Sequence, residues 1–254
     1  MNADKTSAQL ISATQIRPAT SGPTVLPELS CTIRSGEINC LLGLHHSMIE
    51  PYLHVLAGIE PPASGTIQLM EYSAPDEIKE PSLLRQKIGF VLQGGPLLSV
   101  INGVENLKLA ARYHQLGDED TLDQKAQKLL AEMPHKKDHM TLPAYMSKLL
   151  RRHIAIARPL MLDPEVLILD NPFEGLSYYD KDVVAKFIVK MTIKLKIALI
   201  ISTDDLSFTQ QYANQIIFFE QDRTQVFNRW QSLSQCQSED LKLLFKYQNM
   251  DQYA

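Results

Sequence analysis

The sequence has few of the features that mark secreted or membrane-spanning proteins. It contains three cysteines, Cys31, Cys40 and Cys236, and their odd number and uneven spacing are typical of a reducing compartment with unreactive thiols. No apolar run approaches the ~20 residues that a membrane-spanning helix needs. The N-terminus lacks the basic and apolar segments of a signal peptide. We therefore expect a cytoplasmic chain that reaches a membrane only through a partner.

An excess of charge of one sign is also missing. The formal net charge is -4, and neither acidic nor basic residues form a long run. Since a nucleic-acid surface needs a concentrated basic patch, we expect no nucleic acid among the partners. The apolar content of 44% and the length of 254 residues are instead ordinary for a large globular domain.

Apolar runs alternate with helical patterns along the chain. The unbroken run "EVLILD" at 165–170 is typical of a central parallel strand that is covered on both faces. Further strand-like runs occupy 37–43 and 197–203, and residues 1–35 are predicted to form strands joined by turns. The alternation predicts an α/β fold with a mostly parallel sheet core and an antiparallel β part.

Residues 100–162 differ from the rest of the chain. Leucine and alanine recur there at helical spacing, as in "DQKAQKLLAEM". We expect a helical subdomain inserted between strands of the sheet, within one domain at 1–230. Residues 231–254 are predicted to form a C-terminal helical tail.

A stretch at 41–67 has the outline of a phosphate-binding loop, because an apolar strand runs into Gly43 and a short loop and an apolar helix follow. The motif G-x-x-x-x-G-K-[ST] needs a second glycine for close approach, a lysine for phosphate charge and a hydroxyl for Mg²⁺. Those positions hold Met48, Ile49 and Glu50. The loop therefore lacks the cation and places a carboxylate where a phosphate would lie.

Two interpretations of the helix start remain open. Ser47 and Glu50 fit the capping box S-x-x-E, in which both side chains bind free amides and Glu50 takes the place of a bound anion. Pro51 favours the other interpretation, a helix that begins at Pro51 itself. In both, the loop needs no ligand.

Landmarks downstream of this loop follow in one order. They are a glutamine at the end of "IGFVLQ", then "SKLLRRHIAIARPLMLDPEVLILDNP", then "LIISTDDL". This order resembles the nucleotide-binding subunit of ATP-binding-cassette (ABC) transporters over roughly residues 8–230. The resemblance implies an ABC-type P-loop ATPase fold, a membrane permease as partner and subunits paired head to tail. It also implies an ATP site between the phosphate loop of one subunit and the signature loop of the other.

The resemblance also assigns roles to single residues. Gly43 matches the first glycine of the phosphate loop, Asp170 the magnesium-associated aspartate and Gln93 the glutamine that reaches the metal. Asn171 stands in place of the catalytic glutamate, and an amide cannot act as a general base at neutral pH. Asp204 replaces the histidine that contacts the γ-phosphate, which adds a negative charge there.

The signature sequence L-S-G-G-Q is altered as well. Residues 146–150 read M-S-K-L-L, so Ser147 is retained while both glycines are lost. Backbone could not approach a phosphate closely past Leu149. Ser177 replaces an aspartate that crosses the dimer interface in the family. The segment after Gln93 keeps the length of a permease-docking segment.

Several of these residues also have ordinary structural interpretations. Asp170 is equally interpretable as the end of a buried strand, and Gln93 as a loop hydrogen-bonding residue. His45, His46 and His54 have neither an i, i+4 pair on one helix nor nearby cysteines, so they are expected as solvated loop histidines. The neighbours Arg151 and Arg152 are expected on a solvated helix face.

The joint loss of lysine, hydroxyl, glutamate, histidine and signature glycines predicts a pseudo-ATPase. We expect a non-hydrolysing scaffold or regulator of a transporter, with no metal and no ATP or Mg²⁺ as cofactor. One alternative is the degenerate half of a heterodimer whose partner hydrolyses ATP, and another is an interaction protein outside transport. The expected partners are a permease and either a second ATPase subunit or a second copy of this chain.

Two short strings suggest a branch of the family. "LPAYMS" and "DNPFEGL" resemble the ATPase of bacterial MCE-type phospholipid transporters. The resemblance implies a lipid cargo and a place at the cytoplasmic face of the inner membrane, held there by partner subunits.

Overall fold

The computed structural model describes residues 8–20, 25–72, 81–134 and 138–248. The outer ends of the predicted units 1–230 and 231–254 therefore lie outside the described residues. The strands are β1 (Gln9–Arg17), β2 (Leu29–Arg34), β3 (Ile38–Gly43), β4 (Ser64–Leu69), β5 (Ile88–Val91), β6 (Val166–Asp170), β7 (Ala198–Ser202), β8 (Gln215–Phe219) and β9 (Thr224–Phe227). The helices are α1 (His46–Leu56), α2 (Pro81–Lys87), α3 (Gly103–Tyr113), α4 (Glu119–Glu132), α5 (Lys148–Leu160), α6 (Tyr178–Leu195), α7 (Leu206–Tyr212), α8 (Trp230–Ser234) and α9 (Glu239–Tyr247).

The central sheet has six strands in the order β5-β6-β7-β3-β8-β9. All of its pairings are parallel except that of β8 with β9. Since parallel strands end at the same edge of a sheet, the residues that follow β3, β5, β6 and β7 lie together there. The predicted mostly parallel core is confirmed, and this carboxyl edge is where the candidate site lies.

A second sheet has three antiparallel strands in the order β2-β1-β4. It is the predicted antiparallel part, and it covers one face of α1. The other face of α1 lies on the central sheet, so one core joins both sheets through the helix. Ile49 is 2% exposed, Tyr52 and Leu53 are fully buried, and the Tyr52 hydroxyl donates a hydrogen bond to the carbonyl of Pro27.

The opposite face of the central sheet is covered by helices. Because successive strand residues alternate between faces, Leu167 and Leu199 point towards α3, α5 and α6, whereas Ile168 and Ile200 point towards α1. The predicted helical subdomain consists of α3, α4, a short 3-10 helix (Pro143–Tyr145) and α5, inserted between β5 and β6. Helices α3 and α5 pack closely against each other.

The C-terminal helices pack on the sheet rather than extending from it. Leu241 and Phe245 of α9, with Trp230 of α8, form a cluster on Leu42 and Phe218 of the central sheet. The segment described up to Gln248 thus belongs to the same folded body. None of the described helices is long and apolar enough to cross a bilayer.

The burial of α1 predicts that substitutions at two adjacent residues differ sharply in their effect on stability. We expect Ile49→Ala to lower the free energy of unfolding by about 2–4 kcal/mol, because it leaves a cavity between the two sheets. Glu50→Ala is the matched control, and it should change stability by less than about 0.5 kcal/mol since Glu50 is exposed and unpaired in the described structure. Urea unfolding measures both, and equal losses would contradict this orientation of the helix.

Candidate functional site

The link between β3 and α1 is only two residues long. Leu44 and His45 follow the strand, and the helix begins at His46. His45 occupies the cap position but makes no side-chain capping bond, and the first turn has no acidic residue. Both expectations for the helix start, a capping box at Ser47 and a start at Pro51, were therefore wrong.

Helix α1 begins before Ser47 and Pro51 because of how it packs. A helix from His46 buries Ile49 against Gly43, where the Ile49 Cδ1 atom lies 3.5 Å from the position of a glycine Cβ. Pro51 is tolerated inside the helix although its missing N–H removes one backbone bond. The first helical turn now occupies residues that would wrap around a phosphate. Core burial of Ile49 outweighed the local capping signal.

The predicted position of Glu50 was wrong for the same reason. Its carboxylate is exposed and binds no amide at the helix start, whereas Met48 is half-buried beside the core. Glu50 therefore does not replace a bound phosphate. The side chain that enters the site is His46, one turn earlier on the helix.

His46 lies against the aspartate at the end of β6. Its Nε2 atom is 2.8 Å from Oδ1 of Asp170, whose side chain is 3% exposed. The Asp170 carboxylate raises the pKa of His46 above its ordinary value, and partial burial opposes the rise. The expectation of a solvated His46 was wrong.

Asp170 has stabilising neighbours besides His46. Ser202 donates its hydroxyl to Asp170 Oδ1 at 2.9 Å. Burial alone would raise the pKa of Asp170, but His46, the Ser202 hydroxyl and the nearby backbone of Gln93 together lower it. The aspartate is thus held charged by the protein itself.

Asn171 continues this network through its backbone. Its N–H donates to the Ser202 hydroxyl at 2.9 Å, and its φ of +41° places it in the left-handed region, where asparagine is tolerated. Its side-chain oxygen is buried and has no hydrogen-bond partner among the described residues. Asn171 lies next to Asp170 as the sequence predicted, and it offers an amide where a general base would stand.

The remaining candidates are separate from this group. The Gln93 side chain is exposed, and Asp204 is exposed between β7 and α7 with its carbonyl bound by the side-chain amide of Gln248. Ser147 caps α5 by accepting the N–H of Leu150 at 3.1 Å. The structure brings together the Gln93 backbone, Asp170 and Asn171, and Gly43 ends β3 at the same edge of the sheet. Neither Ser147 nor Asp204 joins them.

Arg152 was expected in solvent, and that was wrong. It is 6% exposed. Its guanidinium donates hydrogen bonds to three backbone carbonyls after β6, those of Asn171 (3.2 Å), Pro172 (2.6 Å) and Glu174 (3.2 Å). Arg152 thereby fastens α5 to the segment after Asp170, a contact that no local sequence signal indicates.

The residues at this edge do not fit a magnesium nucleotide. A triphosphate would need a cation at the position of Ile49, which lies in the core. Magnesium would need Asp170, which is occupied by His46. Within the ranges that the structure describes, no three His, Cys, Asp or Glu side chains converge as a metal site requires.

The arrangement of strands and helices nevertheless defines a class of protein. A parallel sheet with a strand-loop-helix unit at β3 and α1, an aspartate ending β6 and an inserted helical subdomain is that of the ATP-binding cassette. A sequence profile of the ABC transporter family matches residues 26–174, more than half of the chain. The chain belongs to this family, and it has the form of the family's nucleotide-binding subunit.

Curated relatives are found at moderate identity. The chain is 29% identical over 195 residues to the lipoprotein-releasing system ATP-binding protein LolD of Hydrogenovibrio crunogenus, covering 75% of this chain and 84% of that protein. It is 28% identical over 208 residues to the sulfate/thiosulfate import ATP-binding protein CysA of Mesostigma viride, covering 82% of this chain. The chain spans 58% of the length of that CysA protein.

Solved structures share the fold. The cassette cbiO1 from Clostridium perfringens, part of the transporter complex cbiONQ, superposes with a TM-score of 0.78 at 22% identity, over 95% of this chain and 92% of that one. A dimeric, ADP- and phosphate-bound structure of the cassette MJ0796 superposes with a TM-score of 0.76 at 18% identity, over 86% of this chain and 98% of that one. These likenesses confirm the predicted ABC-type fold.

The contact between His46 and Asp170 predicts a pH-dependent stability. Because the folded pKa of His46 is raised, its contribution is complete below the ordinary value of about 6.5 and is lost as the pH rises through the folded pKa. At pH 6 we expect His46→Gln to be less stable than the natural chain by about 1–2 kcal/mol. This difference in the free energy of unfolding should shrink towards pH 9.

The exposed neighbour provides the control for this measurement. His45→Gln should show no gap that changes with pH, since His45 makes no side-chain contact in the described structure. Denaturant unfolding between pH 6 and pH 9 measures all three proteins. A constant or widening gap for His46→Gln would contradict an ion pair with Asp170.

Proposed function

We propose that this chain is a pseudo-ATPase, a non-hydrolysing scaffold or regulatory subunit of an ABC transporter. The observation that carries the proposal is the replacement of a phosphate cradle by a packed helix start. Ile49 fills the interior where a lysine would neutralise phosphate, and His46 occupies the aspartate that would hold magnesium. The charge of Asp170 is balanced by His46 within the chain. A bound nucleotide with its magnesium ion would therefore add little stabilisation at this position.

The chemistry of hydrolysis is also unsupported at the neighbouring positions. Asn171 cannot take a proton from water at neutral pH. Asp204 would repel a γ-phosphate, and Lys148 and Leu149 stand where the signature glycines allow the backbone to approach a phosphate closely. Each change alone would weaken turnover, and together they leave no residue for the attack on a phosphoryl group.

A permease is the partner that the surface supports best. The segment after Gln93 is held in place by the buried Asn106, which accepts the N–H of Leu98 at 2.8 Å and donates to its carbonyl at 3.0 Å. Val100, 82% exposed, and Leu98, 48% exposed, present apolar side chains on this segment, and Leu92, 50% exposed, lies just before it. A rigid segment with exposed apolar groups is suited to docking an apolar part of another subunit.

Pairing with a second cassette follows from the same proposal. The MJ0796 cassette is described as dimeric, and we propose a head-to-tail pair for this chain, formed with a second copy or with another ATPase subunit. The MCE-type phospholipid branch stays a prediction, supported by "LPAYMS" and "DNPFEGL". The lipoprotein-releasing relatives are consistent with a lipid-linked cargo, which we include in the proposal.

Calorimetry with ATP and Mg²⁺ tests the central proposal. We expect no binding at micromolar nucleotide, because the cation and the magnesium position are both missing. The variant Met48→Gly/Ile49→Lys/Glu50→Ser restores the sequence of the motif. We still expect it to bind no nucleotide, and we expect it to be less stable than the natural chain, since residue 49 points into the core. Micromolar affinity of the natural chain would overturn the proposal.

Affinity capture from membranes of the source organism tests the partner. We expect the tagged chain to recover a permease, and Val100→Asp to reduce that recovery about tenfold by placing a charge on the docking segment. Val25→Asp is the matched control, because Val25 is also exposed, at 71%, but belongs to the segment before β2. Recovery of no permease would favour a role outside transport. Recovery of an ATPase subunit whose turnover depends on this chain would favour the heterodimer.

A further inference from the structure

A cavity of about 330 Å³ lies at the amino edge of the central sheet, away from Asp170. Ile88, the first residue of β5, lines this cavity, and so does Leu162, which follows α5 and leads back to β6. Because parallel strands run in one direction, these positions are at the opposite edge from the residues that follow β6. The cavity is therefore separate from the site of the proposed function.

Both parts of the fold contribute to the wall of this cavity. Ile59 after α1 and Phe90 of β5 belong to the core around the central sheet. Ala110 of α3 and Pro159 of α5 belong to the helical subdomain. Most of the wall is apolar, and small-molecule sites combine such walls with a few polar groups that fix the orientation of the ligand. A ligand with an apolar body fits this character.

The charged groups of the wall are basic. Arg85 of α2 and Arg158 of α5 line the cavity beside the imidazole of His114, and none of the described aspartates or glutamates lines it. Neither guanidinium has an ion-pair or hydrogen-bond partner in any of the described segments. Burial lowers the pKa of Arg158 below its ordinary value, because the charge loses hydration that no described carboxylate replaces.

Acidic residues next to this wall are bound by other bases. Glu60 lies 3.5 Å from Nδ1 of His54, and Asp163 lies 2.5 Å from Nζ of Lys125. Each of these two carboxylates directly follows a residue of the wall in the sequence. A partly buried cation without a partner costs free energy, and a bound anion removes that cost. The cavity is therefore suited to an anionic ligand.

The imidazole of His114 adds a third donor to the wall. The side-chain amide nitrogen of Gln86 lies 3.2 Å from Nδ1 of His114. Since an amide N–H donates, the neutral ring accepts at Nδ1 and keeps its proton on Nε2. Planar guanidiniums bind the oxygens of a phosphate in pairs, and two guanidinium charges match the two charges of a phosphate monoester.

We propose that this cavity binds a phosphate monoester that carries an apolar group, with Arg85 and Arg158 on the phosphate. The apolar group packs against Ile59 and Phe90. Such a ligand contacts both the core and the helical subdomain, so it stabilises their packing. The inference goes beyond the proposed function and does not depend on it. An acidic lipid headgroup and a soluble alkyl or aryl phosphate share this chemistry.

Calorimetry on the full chain tests the proposal with inorganic phosphate, phenyl phosphate and dihexanoyl phosphatidic acid below its micelle concentration. We expect phenyl phosphate to bind about tenfold more tightly than inorganic phosphate, because the wall buries its ring. Tighter binding of the phosphatidic acid would identify a lipid headgroup as the source, and tighter binding of phenyl phosphate a soluble ester. Magnesium is left out, so the result is independent of the calorimetry with ATP and Mg²⁺. No binding of any probe at millimolar concentration would overturn the proposal.

Substitutions separate a binding role of the arginines from a structural one. Arg158→Met should weaken the binding of phenyl phosphate about tenfold to hundredfold. It should leave the melting temperature of the unliganded chain unchanged or higher, since it removes a desolvated charge. Arg85→Met should weaken binding about tenfold, because its guanidinium contributes the second charge.

Arg34→Met is the matched control for both variants. Arg34 is half-buried on β2, away from the cavity, and it too has no ion-pair partner in the described part of the chain. Its substitution should leave the binding of phenyl phosphate unchanged. Unchanged binding in both Arg158→Met and Arg85→Met, or an equal loss in Arg34→Met, would overturn the proposal.

Discussion

The burial of one helix between two sheets is the constraint on which the rest of this structure depends. Helix α1 has apolar groups on both sides, against the antiparallel sheet and against the central sheet. Ile49, Tyr52 and Leu53 are buried together only if the helix keeps its observed rotation, and the burial of three large side chains stabilises that rotation by several kcal/mol. The helix start at His46 and the short loop after Gly43 follow from it.

The rotation of α1 then determines the electrostatics of the site. It directs position 49 into the core, where only an apolar side chain is stable, and directs His46 towards Asp170. A buried carboxylate without a partner is costly. In this chain the His46 imidazole provides that partner. An apolar residue at position 49 and an imidazole beside Asp170 are thus two results of the same packing.

Much of the architecture could be predicted from local patterns. "VLILD" at 166–170 gives a buried strand because its first four residues are apolar, and the leucine spacing after residue 103 gives helices because it repeats at the helical period. The order of motifs gave the family. The start of α1 was mispredicted since "SMIE" satisfies a local capping rule, and the competing burial of Ile49 depends on β-strands far away in sequence. Arg152 was misjudged because its carbonyl partners follow β6, a separate element of the chain whose packing against α5 no local pattern indicates.

The sequence by itself determined the class of fold, the order of its elements and which residues stand at the positions of a nucleotide site. Those properties depend on the spacing of apolar residues and on residue identity, which are readable along the chain. Only the tertiary structure decided that His46 lies against Asp170 and that Glu50 stays in solvent. Contacts between segments more than a hundred residues apart are set by how the sheets and helices pack, and no local pattern contains that information.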